Sequence, residues 1–210
     1  MSKTITIIGN VGSGKTTLAK ILAEKLPGVL IDADPYTLNP FLPLYAENHA
    51  RWALATELFF TLARATHLRT ELRKNKSKSK PKIIDSGLLM GIEVYAKHHR
   101  KAGTMTSDEW SLFKKLTKDS VDDKLIYPDL VIYCRCDIRT CLERIEARGR
   151  KFEMHHSRKY LKNLEANLDV LMRKLKRLGI KAIDLDMTTF NPRKPEDISL
   201  LVSEVKTDEK

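Results

Sequence analysis

Two periodicities divide the chain. Short β-branched or apolar runs lie at Thr4-Ile5-Thr6-Ile7-Ile8, Val29-Leu30-Ile31, Lys82-Ile83-Ile84-Asp85, Asp129-Leu130-Val131-Ile132-Tyr133-Cys134 and Ile180-Lys181-Ala182-Ile183-Asp184-Leu185. Their length and composition predict strands, the fourth most strongly. Helical spacing fills the intervals. It begins at Thr17-Leu18-Ala19-Lys20-Ile21-Leu22 and returns in Trp52, Leu54, Leu58, Phe59, Leu62 and Ala63, which predict a helix from about Asn48 to Leu72 with that stripe facing the core. Two more helical stretches separate the third and fourth strands, the second opening at Thr106-Ser107-Asp108-Glu109. Asp137 is expected to cap a helix through Arg150, Tyr160–Leu178 to form another ending at Gly179, and Pro195-Glu196-Asp197 to open the last, through about Val205. Strands alternating with helices predict an α/β fold: a parallel sheet of about five strands, covered by helices on both faces in three layers.

Between the first strand and first helix, Gly9-Asn10-Val11-Gly12-Ser13-Gly14-Lys15-Thr16 spells G-x-x-x-x-G-K-[ST]. Glycines admit backbone dihedrals closed to other residues, so successive N–H groups converge into a nest for phosphate oxygens, and the following helix adds its positive end. Lys15 is placed to reach the β- and γ-phosphates of ATP, the Thr16 hydroxyl to take one position on Mg²⁺, and Thr17 to complete the nucleotide-binding run. The motif specifies a polyphosphate and leaves the acceptor open.

Bulk properties narrow this little. The chain has 210 residues, 42% of them hydrophobic, which suits one domain over 1–210. Its net charge of +11 favours anionic partners. Cys134, Cys136 and Cys141 have neither zinc nor disulfide-framework spacing and lie in or beside an apolar strand. They imply a reducing compartment, and a cytoplasmic protein with no leader and no membrane-spanning run is expected. Residues 73–82 are basic and lack apolar side chains, so a flexible solvated loop is expected. No aromatic is interleaved there for base stacking, which disfavours nucleic acid; a polynucleotide partner would show salt-sensitive binding.

Parallel sheets place ligands at the carboxyl ends of strands, so Asp32, Asp34 and Asp85 should converge near the phosphate loop. Asp85 is a candidate for holding Mg²⁺ or polarising an acceptor. Arg144 and Arg148 share a helical face and Arg150 follows Gly149, a hinged delivery of guanidinium groups suited to a transition-state clamp. This arginine-rich lid spans 144–153. His98-His99 and His155-His156 are adjacent pairs that diverge on a helix, and are not expected in the site.

Taken with Asp34-Pro35, Asn39-Pro40-Phe41-Leu42, Tyr45, Trp52, Arg64, Pro128 to Tyr133 and Arg144 to Arg150 with Glu153, the chain resembles the deoxyribonucleoside kinase family, whose fold is similar to that of thymidylate kinases. The resemblance implies an ATP- and Mg²⁺-dependent transfer to a nucleoside 5′-hydroxyl, with Asp34 accepting the proton. Tyr45 and Glu153 would hold the sugar 3′-hydroxyl, Trp52 and Arg64 would border the base, and Arg144, Arg148 and Arg150 would form the lid. Phe190 with Asn191-Pro192-Arg193 would border adenine, and homodimerisation through helices is implied.

Three departures bear on the acceptor. Glu57 stands where the family usually has Gln; a carboxylate only accepts hydrogen bonds, which favours a purine with adjacent N–H donors, deoxyguanosine above all. Asp85-Ser86-Gly87 lacks the arginine of the family's acidic-Arg-Ser triplet, for which Arg100 is one substitute. Asp34 is a methylene shorter than the usual Glu, which leaves Asp32 as an alternative base. A thymidylate-like nucleoside monophosphate kinase and a non-catalytic nucleotide-binding subunit stay open beside the deoxynucleoside kinase.

Overall fold

Five β-branched and apolar runs pair into one parallel sheet in the computed structural model, which describes residues 3–32, 35–75, 80–150 and 156–207. The strands are β1 (Thr4–Gly9), β2 (Val29–Asp32), β3 (Lys82–Asp85), β4 (Leu130–Arg135) and β5 (Lys181–Asp186), in the order β2-β3-β1-β4-β5. Their register sets Asp32 beside Asp85, Ile7 beside Asp85 and Gly9 beside Cys134, so the strand tips end together.

The helices are α1 (Lys15–Lys25), α2 (Leu42–Glu47), α3 (His49–Lys74), α4 (Gly87–Met90), α5 (Ala96–Ala102), α6 (Ser107–Ser120), α7 (Asp123–Ile126), α8 (Ile138–Arg148), α9 (Arg158–Arg177) and α10 (Pro195–Thr207). A 3₁₀ turn at Tyr36–Leu38 and a π turn at Gly91–Tyr95 complete the order. Strand alternation sends Ile5, Ile7, Ile83 and Ile132 toward α1, α8 and α10, and Ile8, Ile31, Ile84 and Val131 toward α3, α4 and α9. Both faces are therefore covered, as the strand–helix alternation predicts. In α9, Leu161, Leu164, Leu168, Leu171 and Leu175 are buried at helical spacing and each stabilises the fold by about 1.5–3 kcal/mol. Among the described residues, no helix is long and apolar enough to cross a membrane.

Several boundaries move for local reasons. Gly149 adopts φ 63 and gives its N–H to the carbonyls of Ile145 and Glu146, so α8 stops at Arg148 and Arg150 lies beyond it. Arg73 and Lys74 complete α3, while Lys82 opens β3 and is buried; the connection expected over 73–82 is thus shorter at both ends. Residues 76–79 lie outside the described residues.

The stripe on α3 requires a correction. The buried positions of that helix are Ala53, Thr56, Glu57, Thr61, Arg64, Ala65 and Leu68, whereas Trp52 and Phe59 are only half-buried and Leu62 is 42% exposed. At 3.6 residues per turn, Phe59 and Leu62 lie across the helix from Glu57. The inward side is polar because it walls a cavity, which displaces the apolar side chains outward.

Candidate active site

The loop from Gly9 to Thr16 runs between β1 and α1. Gly12 has φ 80, and a Cβ there would stand 2.4 Å from the Cys141 carbonyl oxygen. Gly14 precedes α1 in the left-handed region at φ 96, with no side-chain cap and no acid in the first turn. The amides of that turn are consequently left to an external anion. Asn10 fixes the loop: its amide donates to the Leu161 carbonyl at 2.9 Å, its side-chain oxygen accepts from Val11 N–H at 3.0 Å, and its carbonyl accepts from Lys15 Nζ at 2.7 Å.

At the end of β3, Asp85 accepts a hydrogen bond from the Thr16 hydroxyl at 2.5 Å. Ser86 follows with φ 63, strained for a side-chain-bearing residue, and is held there by its N–H to the Ile7 carbonyl at 3.0 Å. Asp32 ends the neighbouring strand. Asp34 and Glu153, both anticipated as acceptor-binding groups, lie outside the described residues.

Two cavities meet at this loop, sharing Gly12, Lys15, Thr16 and Arg148. One, of about 390 Å³, runs between α2, α3, α5 and α9; Tyr45, Glu57, Arg64, Asp85 and Arg150 line it. The other, of about 550 Å³, is bordered by Thr17, Arg144 and the segment from Met187 to Arg193, which includes Phe190. Arg144 NH1 lies 3.4 Å from the carbonyls of both Gly12 and Ser13, and the Arg150 guanidinium sits over the Tyr36 ring at 4.8 Å. Trp52 stacks on Phe41, with centroids 5.8 Å apart, and does not line the first cavity. Arg100, the substitute weighed for the arginine absent at Ser86, donates to Ser107 Oγ at 3.0 Å and also stays off its wall.

Glu57 is buried, not a surface carboxylate. Its Oε1 lies 3.6 Å from His99 Nε2, and its Oε2 is buried with no hydrogen-bond partner among the described residues. Tyr45 Oη stands 3.4 Å from the same imidazole nitrogen, and burial, with the nearby Glu57, raises its pKa above the ordinary phenolic value. His98 is pushed down to about 4, first by burial and then by the positive potentials of His99, His49 and Lys101. His49, His98, His99 and His156 all line the first cavity. The expectation that these pairs would stay out of the site fails: adjacent His98 and His99 of α5 both border the cavity, joined there by His49 of α3 and by His156. The thiols of Cys134, Cys136 and Cys141 are buried beneath the loop, and burial raises Cys134 to about 12.

The oxygen donors suit a hard cation: Thr16 and Asp85 offer a hydroxyl and a carboxylate already within hydrogen-bond distance. With the glycine loop between two cavities, the arrangement can bring a phosphoryl donor and an acceptor alcohol together.

Comparison with known proteins gives the same picture. The family model described as deoxynucleoside kinase matches residues 5–207. A deoxyguanosine kinase of Bacillus subtilis is 29% identical over 206 residues, covering 96% of this chain and 95% of the relative. A deoxyadenosine/deoxycytidine kinase of the same organism is 29% identical over 166 residues, covering 79% and 74%. The solved structure of deoxyadenosine kinase from M. mycoides with bound dCTP superposes with a TM-score of 0.79 at 20% identity, covering 97% of this chain and 99% of that one.

Proposed function

Because the chain belongs to the deoxynucleoside kinase family, and is therefore a phosphotransferase, we propose that it moves the γ-phosphoryl group of ATP to the 5′-hydroxyl of a deoxyribonucleoside, with a purine, and deoxyguanosine in particular, preferred. The observation that carries this reading is the junction of two cavities at Gly12, Lys15, Thr16 and Arg148. The donor triphosphate lies in the loop, its adenosine toward Phe190, and the acceptor enters from the side of Tyr45 and Glu57.

In the transfer, the 5′-oxygen attacks the γ-phosphorus, the bond from phosphorus to the β,γ-bridging oxygen breaks, ADP leaves, and the hydroxyl proton passes to a strand-end carboxylate. Asp34, two residues beyond the end of β2, is the proposed base, with Asp32 the alternative. Lys15 and the loop amides hold the β- and γ-oxygens, while Arg144, Arg148 and Arg150 offset the charge spreading over the transferred group. Thr16 and Asp85 would hold Mg²⁺, which when bound neutralises phosphate charge.

Glu57 supports the purine preference. Glu57 lines the acceptor cavity, and a carboxylate there can accept from the N–H groups of guanine, whereas cytosine and adenine pair a donor with an acceptor. The deoxyguanosine kinase name of one relative matched along nearly the whole chain agrees with this.

A homodimer is supported by the outward stripe of α3, with Leu62 at 42% exposure, and by Leu112 of the adjacent α6 at 46%. The buried thiols agree with a reducing, cytoplasmic setting. Purified protein incubated with ATP, Mg²⁺ and each deoxynucleoside or nucleoside monophosphate tests the reaction. Deoxyguanosine 5′-monophosphate is the expected main product; turnover of monophosphates alone would replace the acceptor assignment.

A further inference from the structure

The three arginines read as a lid do not face one cavity. Arg144 borders the cavity proposed for ATP, Arg148 borders both, and Arg150 borders the cavity proposed for the acceptor, together with Tyr36. The Arg150 guanidinium lies over the Tyr36 ring, 4.8 Å from its centroid, within the range at which the negative face of an aromatic ring attracts a cation. The two side chains stand on backbone of different kinds. Tyr36 opens the 3₁₀ turn after β2, which the Leu38 N–H closes onto the Pro35 carbonyl at 3.0 Å. Asn39, at the end of that turn, is buried: its amide donates to the Thr56 carbonyl of α3 at 3.3 Å, and its side-chain oxygen accepts from Phe41 N–H at 3.0 Å. The ring is thus carried by a segment pinned to α3. Arg150 follows Gly149, whose φ of 63 ends α8 and where a Cβ would meet nothing within 4 Å. No neighbour wedges the chain at that stop, so the next side chain takes its direction from the groups it touches, and the Tyr36 ring is one of them.

We infer that Tyr36 is a positioning residue for the transfer: its ring holds Arg150 on the acceptor side of the glycine loop, where the guanidinium meets the phosphoryl group as it reaches the 5′-hydroxyl. The inference rests on the proposed role of Arg150 in the lid. An aromatic face suits that role, because it attracts the cation while competing with phosphate oxygens for the guanidinium donors less than a carboxylate would. Tyr36 acts through Arg150 and needs no contact with the substrate.

The test measures steady-state kinetics, with ATP and the deoxynucleoside phosphorylated fastest, in the wild type, Arg150→Gln, Tyr36→Leu and Tyr36→Phe. Arg150→Gln examines the lid role itself and should lower kcat/KM for the acceptor at least about tenfold. Tyr36→Leu keeps apolar bulk and removes the ring face. It should lower the same kcat/KM about fivefold, the scale of one partly exposed cation–π contact, with the KM for ATP unchanged. Tyr36→Phe, which keeps the face, should recover most of that loss, and Tyr36→Leu added to Arg150→Gln should lower the rate no further. If Arg150→Gln is impaired while Tyr36→Leu matches the wild type, or if the two losses add, Tyr36 has no such role and the lid assignment survives. If Arg150→Gln changes nothing, both fall together. Should Tyr36→Leu fail to fold, phenylalanines of increasing fluorination at position 36 decide, since fluorine drains the negative face with little change of shape. A kcat/KM that falls along the series is expected, and a flat series overturns the inference.

Discussion

The hydroxyl of Thr16, in the first turn of α1, donates to the carboxylate of Asp85, at the tip of β3, across 2.5 Å. This bond fastens the end of the glycine loop to the tip of β3. Replacing Asp85 by Asn keeps a hydrogen-bond acceptor and removes the charge. Steady-state kinetics should show kcat reduced by at least about 100-fold, the scale of removing one charged group from a phosphoryl-transfer site, with folding retained. A kcat within a few-fold of wild type would remove Asp85 from the catalytic assignment.

Gly12 is held by its surroundings as well as by its dihedral. An alanine methyl would meet the Cys141 carbonyl oxygen, which is backbone at the start of α8 and has no flexible end to yield. Gly12→Ala is therefore expected to displace the loop and weaken ATP binding by at least about tenfold, given a backbone strain of about 1–3 kcal/mol. Isothermal titration with a non-hydrolysable ATP analogue measures it; unchanged affinity would show that the loop adapts.

His98 gives the fold an acid sensitivity. Its folded-state pKa of about 4 lies below the ordinary 6.5 because of burial and then its cationic neighbours. Between those values the unfolded chain binds a proton that the folded chain does not, so this contribution to stability is present above pH 6.5 and is lost as the pH falls toward 4. Denaturant titrations at pH 7 and pH 5 should show a smaller loss of stability in His98→Asn than in the wild type. Equal losses would rule His98 out as the source.

On the outer side of α3, Leu62→Glu combined with Leu112→Glu places two like charges on the proposed dimer face. Sedimentation velocity is expected to report a dimer for the wild type and a monomer for the double variant. A wild-type monomer at assay concentration would discard this interface.

Much of the architecture was written in local pattern. The period of the β-branched runs, the glycines of the phosphate loop and the capping box at Thr106 and Glu109 act over a few residues, so their consequences follow from the chain itself. The geometry of the glycine loop was legible for the same reason: Gly9 to Thr16 is contiguous, and its left-handed glycines Gly12 and Gly14 act within a few residues.

Local pattern could not decide which way α3 faces. Its apolar stripe argued for burial, yet the side that packing buries bears Thr56, Glu57, Thr61 and Arg64. The pairing of Glu57 with His99, and the gathering of His49, His98 and His156 around one cavity, likewise exist only once α2, α3, α5 and α9 are packed. A hydrogen bond or ion pair depends on distances of a few ångströms between side chains far apart in sequence, and no periodicity encodes those distances. The chain alone thus determined the glycine loop after β1 and the layered sheet, through dihedral freedom and hydrophobic spacing. Tertiary packing decided the composition of the helix-walled cavity between α2, α3, α5 and α9 proposed for the acceptor, because that is set by which helix faces close on one another.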